Sequence, residues 1–274
     1  MFFMGILIMS VFCGYLLYLI FFWQWRKNPQ FFYNKEKPLI IGHRGSPTCF
    51  TENTAASFQK AIEQGVDGIE LDVRLSKDKQ IVVFHDKDLR RLSNRNEKIG
   101  DLSLSELQTI VLNKTRRQTE ETHIPSLNDI VPFLGYIRVL NIEIKSDSLF
   151  QGHDIIRPLI QFLNKHQIND KCIISSFNPL ILKKFRIKRP ETIIGFLYCR
   201  TKLFHGWSNM IWMLRVQPEA LHIHRSLLNH WIVGWARNKG IKINSYTINK
   251  RDTYHKAQKQ KVDGIFTDNI EYLK

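Results

Sequence analysis

The stretch Leu39-Ile-Ile-Gly-His-Arg-Gly-Ser-Pro-Thr-Cys-Phe-Thr-Glu-Asn-Thr54 places a short apolar run directly before two side chains that suit a phosphate ester. The run from Leu39 to Ile41 is typical of a buried strand. His43 and Arg44 follow where that strand gives way to a loop, so that one side chain can move protons while the other holds oxyanions. Such a pair also occurs in ordinary surface loops, and its interpretation depends on the residues around it.

Two further apolar strands carry charged residues that should share one face. Glu70 and Asp72 lie two positions apart, and Glu143 and Lys145 repeat that spacing. Alternate residues of a strand project from the same side, and a buried acid is costly unless it is paired or binds a metal. A site made only of oxygen ligands suits Mg²⁺ or Ca²⁺. Ion pairs within the fold, with Arg74 or Lys145 as the partner, are the structural alternative.

Strand and helix patterns alternate along most of the chain. Strands are predicted at 38–42, 67–73, 138–144, 172–176, 192–198, 220–224, 241–247 and 263–267. Helices are predicted near 54–64, 126–134, 153–166, 178–187, 228–239 and 252–260, the first of them capped by Thr51 or Asn53. This order predicts an α/β fold, a (β/α)8 TIM barrel, whose sites form at the C-terminal ends of the strands. A doubly wound open sheet is the alternative, but its glycine-rich fingerprint is absent.

A small insertion after the second strand breaks this alternation. Ile81 to Phe84 predict a short strand that delivers His85 and Asp86. A polar run rich in Arg and Lys then continues to about Pro125. The predicted barrel domain, with this insertion, occupies residues 38–274.

The N-terminal segment, residues 1–25, carries no charged side chain and predicts a transmembrane anchor, since ~20 apolar residues in a helix cross the hydrocarbon core. A cleaved signal peptide is the alternative, but the segment lacks a basic start and a small-residue cleavage site. A basic linker at 26–37 follows. The positive-inside rule then predicts a single-pass membrane protein whose catalytic domain lies on the cytoplasmic side, near anionic lipid.

The composition fits one large domain with a basic surface. The chain has 274 residues, with 40 Lys and Arg against 25 acidic residues and a formal net charge of +15. Such a charge suits nucleic acid, an anionic membrane or an anionic substrate. No basic tail or recognition helix is visible, so nucleic acid is not expected as a partner. The four cysteines show no metal-type spacing.

Several short motifs occur in the order typical of one enzyme family. They are His43-Arg44-Gly45, Glu52-Asn53-Thr54, Glu70-Leu71-Asp72, His85-Asp86, Glu143-Ile144-Lys145 and Asp263-Gly-Ile-Phe-Thr-Asp268. In these motifs the chain resembles the glycerophosphodiester phosphodiesterase family over about residues 38–270, and within that family it resembles the membrane-anchored lysophospholipase D-type members. The resemblance implies a TIM barrel whose insertion, about 87–125, forms a short cap over the barrel mouth.

The resemblance also implies a role for each motif residue. The implied ligands of Mg²⁺ or Ca²⁺ are Glu70, Asp72 and Glu143. The implied acid/base pair is His43 and His85, and the implied phosphate-binding cations are Arg44 and Lys145. Beside this resemblance, Glu52 is predicted to orient one of these groups, with an ordinary acid at a helix start as the alternative. Asp86 is predicted to fix His85, with a cap of the next turn as the alternative. Tyr246 departs from the pattern, because many members carry Trp there.

The predicted reaction is hydrolysis of a head-group phosphodiester. A lysophospholipid would give lysophosphatidic acid and an alcohol, and a glycerophosphodiester would give glycerol 3-phosphate and an alcohol. The apolar stretch at 203–216 is interpreted either as a helix packed on the barrel or as an element that binds an acyl chain. A membrane-tethered lipid- or phosphate-binding protein without turnover and a nucleic-acid phosphodiesterase are the alternatives. The complete set of histidines and carboxylates argues against a mere binder.

Overall fold

The computed structural model describes the backbone of residues 2–21, 33, 36–113, 121–198 and 206–273, and their side chains except at 2, 19–21 and 206–210. Helix α1 spans Phe2–Phe21. Crossing a bilayer takes about 20 apolar residues in one helix, and no helix in the described part of the chain is both long and apolar enough for this. The predicted anchor at 1–25 is therefore not confirmed. The predicted linker at 26–37 lies largely outside the described residues.

Eight parallel strands form a closed barrel. They are β1 (Leu39–His43), β2 (Gly68–Leu75), β4 (Val139–Ile144), β5 (Cys172–Ser176), β6 (Ile193–Tyr198), β7 (Ala220–His224), β8 (Lys242–Tyr246) and β9 (Gly264–Thr267). Each strand pairs with the next, and β1 closes the barrel by pairing with both β2 and β9. A short strand, β3 (Ile81–Val83), runs antiparallel to β2. The predicted barrel and its eight strands are confirmed, with each strand end within two residues of its predicted position.

Helices follow most of the barrel strands. They are α2 (Ala55–Glu63), α5 (Ile156–His166), α6 (Pro179–Lys188), α7 (Gly206–Val216), α8 (Trp231–Asn238) and α9 (Arg251–Lys259). Two short helices, α3 (Arg90–Ser93) and α4 (Leu104–Gln108), lie in the insertion. The helix predicted at 126–134 is instead a 3-10 helix, Leu127–Tyr136, that contains Pro132. Proline lacks the N–H that a regular α-helical ladder needs at that position.

The cap of α2 differs from the predicted one. Thr54 accepts a hydrogen bond from the Ser57 backbone N–H and is the N-cap residue. Asn53, one of the two predicted caps, has a φ of +58° and its side chain points toward β2 instead. Because Thr54 caps the helix, the side-chain amide of Asn53 remains available to the site at the strand ends.

The barrel strands are buried on both faces, as parallel sheets covered by helices are. Outward-facing residues pack against the helices in two large clusters. Inside the barrel, an apolar layer fills the half nearer the N-terminal ends of the strands. It contains Leu39, Ile41, Val139, Ile173, Ile193 and Phe266. The charged side chains Glu70, Asp72 and Glu143 lie above this layer, toward the C-terminal ends of the strands.

The insertion has a small hydrophobic cluster of its own, which we call the cap cluster. Its buried members are Val82, Phe84, Leu89, Ile99, Leu107, Ile110, Leu112 and Ile124. Phe84 donates its backbone N–H to Asp72 O at 2.9 Å. The cap cluster is thus fixed to β2, next to the site.

The apolar stretch predicted at 203–216 coincides in part with α7. Of the side chains described there, Met213, Leu214 and Val216 are buried in the helix-to-sheet cluster with Phe196 and Leu221. This supports the packing interpretation for residues 211–216. The side chains at 203–210 lie outside the described residues.

Candidate active site

Three carboxylates converge at the ends of two neighbouring strands. Asp72 on β2 is directly opposite Glu143 on β4 in the strand register, and Glu70 lies one inward-facing position lower on β2. All three are buried, and one oxygen of each lies within 4.8 Å of the others. The cluster can hold a metal ion. Three buried negative charges at this separation would repel one another strongly without a cation.

The charge distribution fits a hard cation. Burial raises the pKa of Glu70 to about 8, and the neighbouring charge of Asp72 adds to the effect. Burial also acts to raise the pKa of Asp72, but the adjacent Lys145 and Arg44 hold it well below its usual range. Among the described residues, Glu70 Oε1 is buried and has no hydrogen-bond partner. A divalent cation would supply the partner that this oxygen lacks.

Lys145 lies against the same cluster. Its Nζ is 2.9 Å from Asp72 Oδ1 and also contacts Glu143 Oε1. Burial works to lower the pKa of this ammonium group, but Glu143 and Asp72 raise it, so Lys145 carries a positive charge. The alternative interpretation, ion pairs of the carboxylates within the fold, is therefore found in part, with Lys145 as the partner. Arg74 does not take part, because it pairs with Asp147 at 3.1 Å.

His43 stands at the end of β1 and is oriented by a carboxylate from the other end of the chain. His43 Nδ1 lies 2.5 Å from Asp268 Oδ1, and Nε2 lies 4.0 Å from Glu70 Oε2. Asn249 fixes Asp268 by donating to Oδ2 at 2.6 Å. Burial alone would lower the pKa of His43, but Glu70 and Asp268 raise it. Asp268 was not among the predicted site residues, although the Thr-Asp motif that contains it was noted.

His85 has a similar support on the other side of the site. Its Nδ1 lies 2.6 Å from Asp86 Oδ1, and Arg91 Nε donates to Asp86 Oδ2 at 2.6 Å. Burial lowers the pKa of His85. Burial acts to raise the pKa of Asp86, but Arg91 and His85 lower it. The predicted supporting position of Asp86 is therefore consistent with the geometry.

Arg44 connects the carboxylate cluster with the insertion. Its backbone N–H donates to Glu70 Oε2 at 2.9 Å, and its Nε lies 3.2 Å from Asp72 Oδ2. Arg44 Nη1 also donates to Glu52 Oε1 at 2.8 Å. The φ of Arg44 is +57°, a conformation that non-glycine residues seldom adopt outside functional or tightly determined sites. These contacts fix both ends of the residue.

Two residues that sequence reasoning missed complete this network. Arg91, on α3 of the insertion, donates to both oxygens of Glu52 at 2.6 and 2.9 Å. Asn53 donates to Asp72 Oδ2 at 2.8 Å and accepts from the Asp72 backbone N–H at 3.2 Å. Asn53 lies within a motif already noted in the sequence. Arg91 gave no such signal, because it lies among several other basic residues of the insertion.

A cavity of about 200 Å³ lies over these groups. His43, Arg44, His85, Glu143 and Lys145 line one side of it. The cavity is also lined by the apolar and aromatic Phe177, Leu197, Tyr246 and Phe266, which we call the apolar wall, together with His222, His224 and Thr247. The rings of Phe177 and Tyr246 meet edge to face, with centroids 6.3 Å apart. Each of the seven residues predicted as metal, acid/base or phosphate-binding groups lies at or beside this cavity.

Comparison with known proteins gives one consistent result. Residues 43–272 match the profile of the glycerophosphoryl diester phosphodiesterase family. The chain is 34% identical over 241 residues to a glycerophosphodiester phosphodiesterase of Caldanaerobacter subterraneus subsp. tengcongensis, covering 86% of this chain and 96% of that protein. It is 25% identical over 276 residues to a lysophospholipase D of Rattus norvegicus, covering 85% and 84%. An Oleispira antarctica phosphodiesterase, solved in complex with the product sn-glycerol-3-phosphate, aligns with a TM-score of 0.72 at 29% identity, covering 84% and 93%.

A barrel with buried carboxylates and two histidines at its mouth, combined with these matches, defines an enzyme that hydrolyses phosphoric diesters. More narrowly, the chain belongs to the glycerophosphodiester phosphodiesterase family. The resemblance inferred from the six short motifs is thereby confirmed.

Proposed function

We propose that this enzyme cleaves the head-group phosphodiester of glycerophosphodiesters and lysophospholipids with the aid of Mg²⁺ or Ca²⁺. The observation that carries the proposal is the buried cluster of Glu70, Asp72 and Glu143 between two histidines, each with its own carboxylate partner. Such a constellation combines a cation site with two groups that can exchange protons.

Glu70, Asp72 and Glu143 are the proposed ligands of the divalent cation. The bound ion would act as a Lewis acid toward a phosphoryl oxygen of the substrate. Arg44 and Lys145 stand beside the same carboxylates and offer N–H donors to the remaining phosphate oxygens. Charge that accumulates on the phosphate during the reaction would then meet fixed cations rather than mobile water.

His43 and His85 are the proposed acid/base pair. In each ring Nδ1 faces a carboxylate, Asp268 or Asp86, which leaves Nε2 for the substrate. The carboxylate fixes the orientation of the ring and favours its protonated form when a proton is taken up. One histidine would accept the proton of the attacking oxygen, and the other would protonate the leaving alcohol. The attacking oxygen comes from water or from a hydroxyl group of the substrate itself.

The apolar wall formed by Phe177, Leu197 and Tyr246 supports inclusion of lysophospholipids among the substrates. Such a wall can accept the first carbons of an acyl chain, whereas a fully deacylated glycerol group has no apolar part to bury. The similarity to a lysophospholipase D of Rattus norvegicus points the same way.

Membrane association with the barrel on the cytoplasmic side is a separate proposal that rests on sequence. Its support is the uncharged segment 1–25 and the basic residues Arg26, Lys27, Lys35 and Lys37 that follow it. Fractionation of cells that express the full chain, followed by protease digestion of sealed vesicles, tests both parts. Recovery of the protein in the membrane-free fraction would contradict the proposal.

The proposed reaction is tested with substrates that differ by one acyl chain. Choline release from glycerophosphocholine and from lysophosphatidylcholine is measured with the full chain in detergent, in Mg²⁺, Ca²⁺ or chelator. We expect release that needs a divalent cation and is lost in His43→Ala and Glu143→Gln. A rate on lysophosphatidylcholine below a hundredth of that on glycerophosphocholine would remove lysophospholipids from the proposal.

A further inference from the structure

A second cleft, of about 280 Å³, lies next to the active-site cavity. We call it the basic cleft. Its walls are the end of β2, the cap residues 87 and 98–101, and the loop that follows β4. Lys145, the proposed phosphate-binding cation, lines both the basic cleft and the active-site cavity. A phosphate held at Lys145 would therefore stand between the two spaces.

The basic cleft has an excess of positive charge. Its cations are Arg74, Lys79, Lys87, Lys98 and Lys145, and its acidic residues are Asp101, Asp147 and Asp154. Three of the cations already have partners: Arg74 pairs with Asp147, Lys79 with Asp154, and Lys145 with the metal-binding carboxylates. Over the ranges that the structure describes, Lys87 and Lys98 form no ion pair. Asp101 likewise has no ion pair in the described part of the chain, and Asp88, beside Lys87, pairs with Arg90, so a small excess of positive charge remains in the cleft.

Backbone hydrogen bonds join the two cap segments that carry these lysines. Ile99 N donates to Lys87 O at 3.0 Å, and Leu89 N donates to Glu97 O at 3.0 Å. In the short ladder that results, Lys98 lies opposite Asp88, and the neighbouring Leu89 and Ile99 are buried in the cap cluster. Both lysines are therefore carried by paired backbone segments of the cap, and each of them lines the basic cleft.

The two spaces differ in chemistry, as the two arms of a phosphodiester do. The active-site cavity has the apolar wall with Phe177 and Tyr246, which suits the glycerol or acylglycerol arm. The basic cleft has no comparable aromatic wall among its lining residues and suits a polar arm. We propose that the basic cleft binds the head-group arm of the substrate and selects head groups that carry an additional anionic group, a phosphate monoester or a carboxylate. This inference rests on the proposed function and names its substrate class.

The consequence for selectivity follows from charge. A head group with a phosphate monoester would gain the attraction of Lys87 and Lys98, whereas the trimethylammonium of choline would be repelled by them. Because these ammonium groups are exposed, the gain is modest and is screened by salt. We expect kcat/KM to be about tenfold higher for an anionic head group than for its neutral counterpart at low ionic strength.

The test compares glycerophosphoinositol with glycerophosphoinositol 4-phosphate, which differ only by one phosphate on the head group. The double variant Lys87→Glu/Lys98→Glu should lose or invert the preference for the phosphorylated substrate. The matched control is Lys256→Glu/Lys259→Glu, which makes the same charge change on α9 and should retain the preference. Equal kcat/KM for both substrates in the wild type, or the same preference in the double variant, would overturn the inference.

A binding measurement separates this inference from the proposed function. Calorimetry of glycerophosphoinositol 4-phosphate is carried out on His43→Ala with and without Lys87→Glu/Lys98→Glu. Weaker binding by the triple variant than by His43→Ala supports the role of the basic cleft. This conclusion holds even where the wild type hydrolyses no diester, because absence of hydrolysis would contradict only the proposed function. Identical affinities in the two proteins would contradict the basic cleft while leaving hydrolysis to its own test.

Discussion

His43 and Asp268, 225 positions apart in the chain, meet with His43 Nδ1 only 2.5 Å from Asp268 Oδ1. The contact exists because β1 and β9 are neighbours in the closed barrel, and both residues emerge at the C-terminal ends of their strands. Asn249 completes the arrangement, donating to Asp268 Oδ2 at 2.6 Å and accepting from the Asp268 backbone N–H at 2.9 Å. His43, one of the two proposed acid/base histidines, is therefore oriented across the seam where the barrel closes.

Replacement of Asp268 by Asn should separate orientation from packing. The amide has the same shape but cannot stabilise an imidazolium, so we expect kcat to fall on the order of 10²-fold, with KM changed little. The control is Asp252→Asn, which removes an exposed acid on α9. Steady-state kinetics on one diester measures both. A kcat of Asp268→Asn equal to that of the control would show that the contact has no catalytic role.

Arg91→Met tests the link between the insertion and the site. Arg91 donates hydrogen bonds to both Glu52 and Asp86. Glu52 in turn binds Arg44, and Asp86 contacts His85. We expect kcat/KM to fall about tenfold, while the free energy of unfolding changes by less than about 1 kcal/mol, because the guanidinium is partly exposed. Arg90→Met is the matched control, since Arg90 lies on the same helix but pairs with Asp88. Equal activity of the two variants would contradict the role of Arg91.

Metal binding should be visible as stability without any turnover. A cation at Glu70, Asp72 and Glu143 relieves their mutual repulsion, and a ligand at 100 times its Kd adds about 2.7 kcal/mol to the stability of the folded state. We expect Mg²⁺ or Ca²⁺ to raise the Tm of the wild type and of the surface control Glu63→Gln, and to leave Glu70→Gln unchanged. An equal shift in all three proteins would place the bound ion elsewhere.

The burial of His222 leads us to expect that the protein loses stability in acid. This histidine is fully buried in the barrel, and burial lowers its pKa to about 3. The unfolded chain, with an ordinary pKa of ~6.5, binds more protons than the folded protein between these values. The contribution of neutral His222 to the free energy of unfolding is therefore fully present above pH ~6.5 and is lost as the pH is lowered toward 3.

The size of this effect is measurable by denaturant unfolding at two pH values. Between pH 7 and pH 5, His222 should account for a loss on the order of 1–2 kcal/mol. His222→Gln, which cannot take up a proton there, should lose that much less stability over this interval than the wild type. The exposed His255→Gln should behave as the wild type does. The same loss in His222→Gln as in the wild type would contradict this account.

Periodicity and motif order predicted much of the molecule. Apolar runs of four to eight residues placed all eight barrel strands, because strands that are buried on both faces leave an unmistakable pattern. The rule that barrel sites form at the C-terminal strand ends then predicts that His43, Glu70 and Glu143 lie together. The sequence pattern predicted the local backbone, such as helix caps and helix type, less well. Thr54 rather than Thr51 or Asn53 caps α2, and Pro132 converts a predicted helix to a 3-10 helix.

Other parts of the site depend on tertiary register. The pairing of His43 with Asp268 requires barrel closure, and the contacts of Arg91 require the fold of the insertion. Nothing local distinguishes Arg91 from Arg90 or Arg95, because all three lie in the same polar run. The anchor predicted at 1–25 rests on the sequence pattern, and the structure does not confirm it.

The central claim, hydrolysis that depends on a cation at the three carboxylates, is tested most directly by metal depletion and restoration. The initial rate of choline release from glycerophosphocholine is followed for the full chain before EDTA, after EDTA, and after addition of Mg²⁺ or Ca²⁺. We predict that EDTA abolishes release, that one of these cations restores it in the wild type, and that neither restores it in Glu143→Gln. Release that persists in EDTA, or that Glu143→Gln shows at the wild-type rate, would contradict the account.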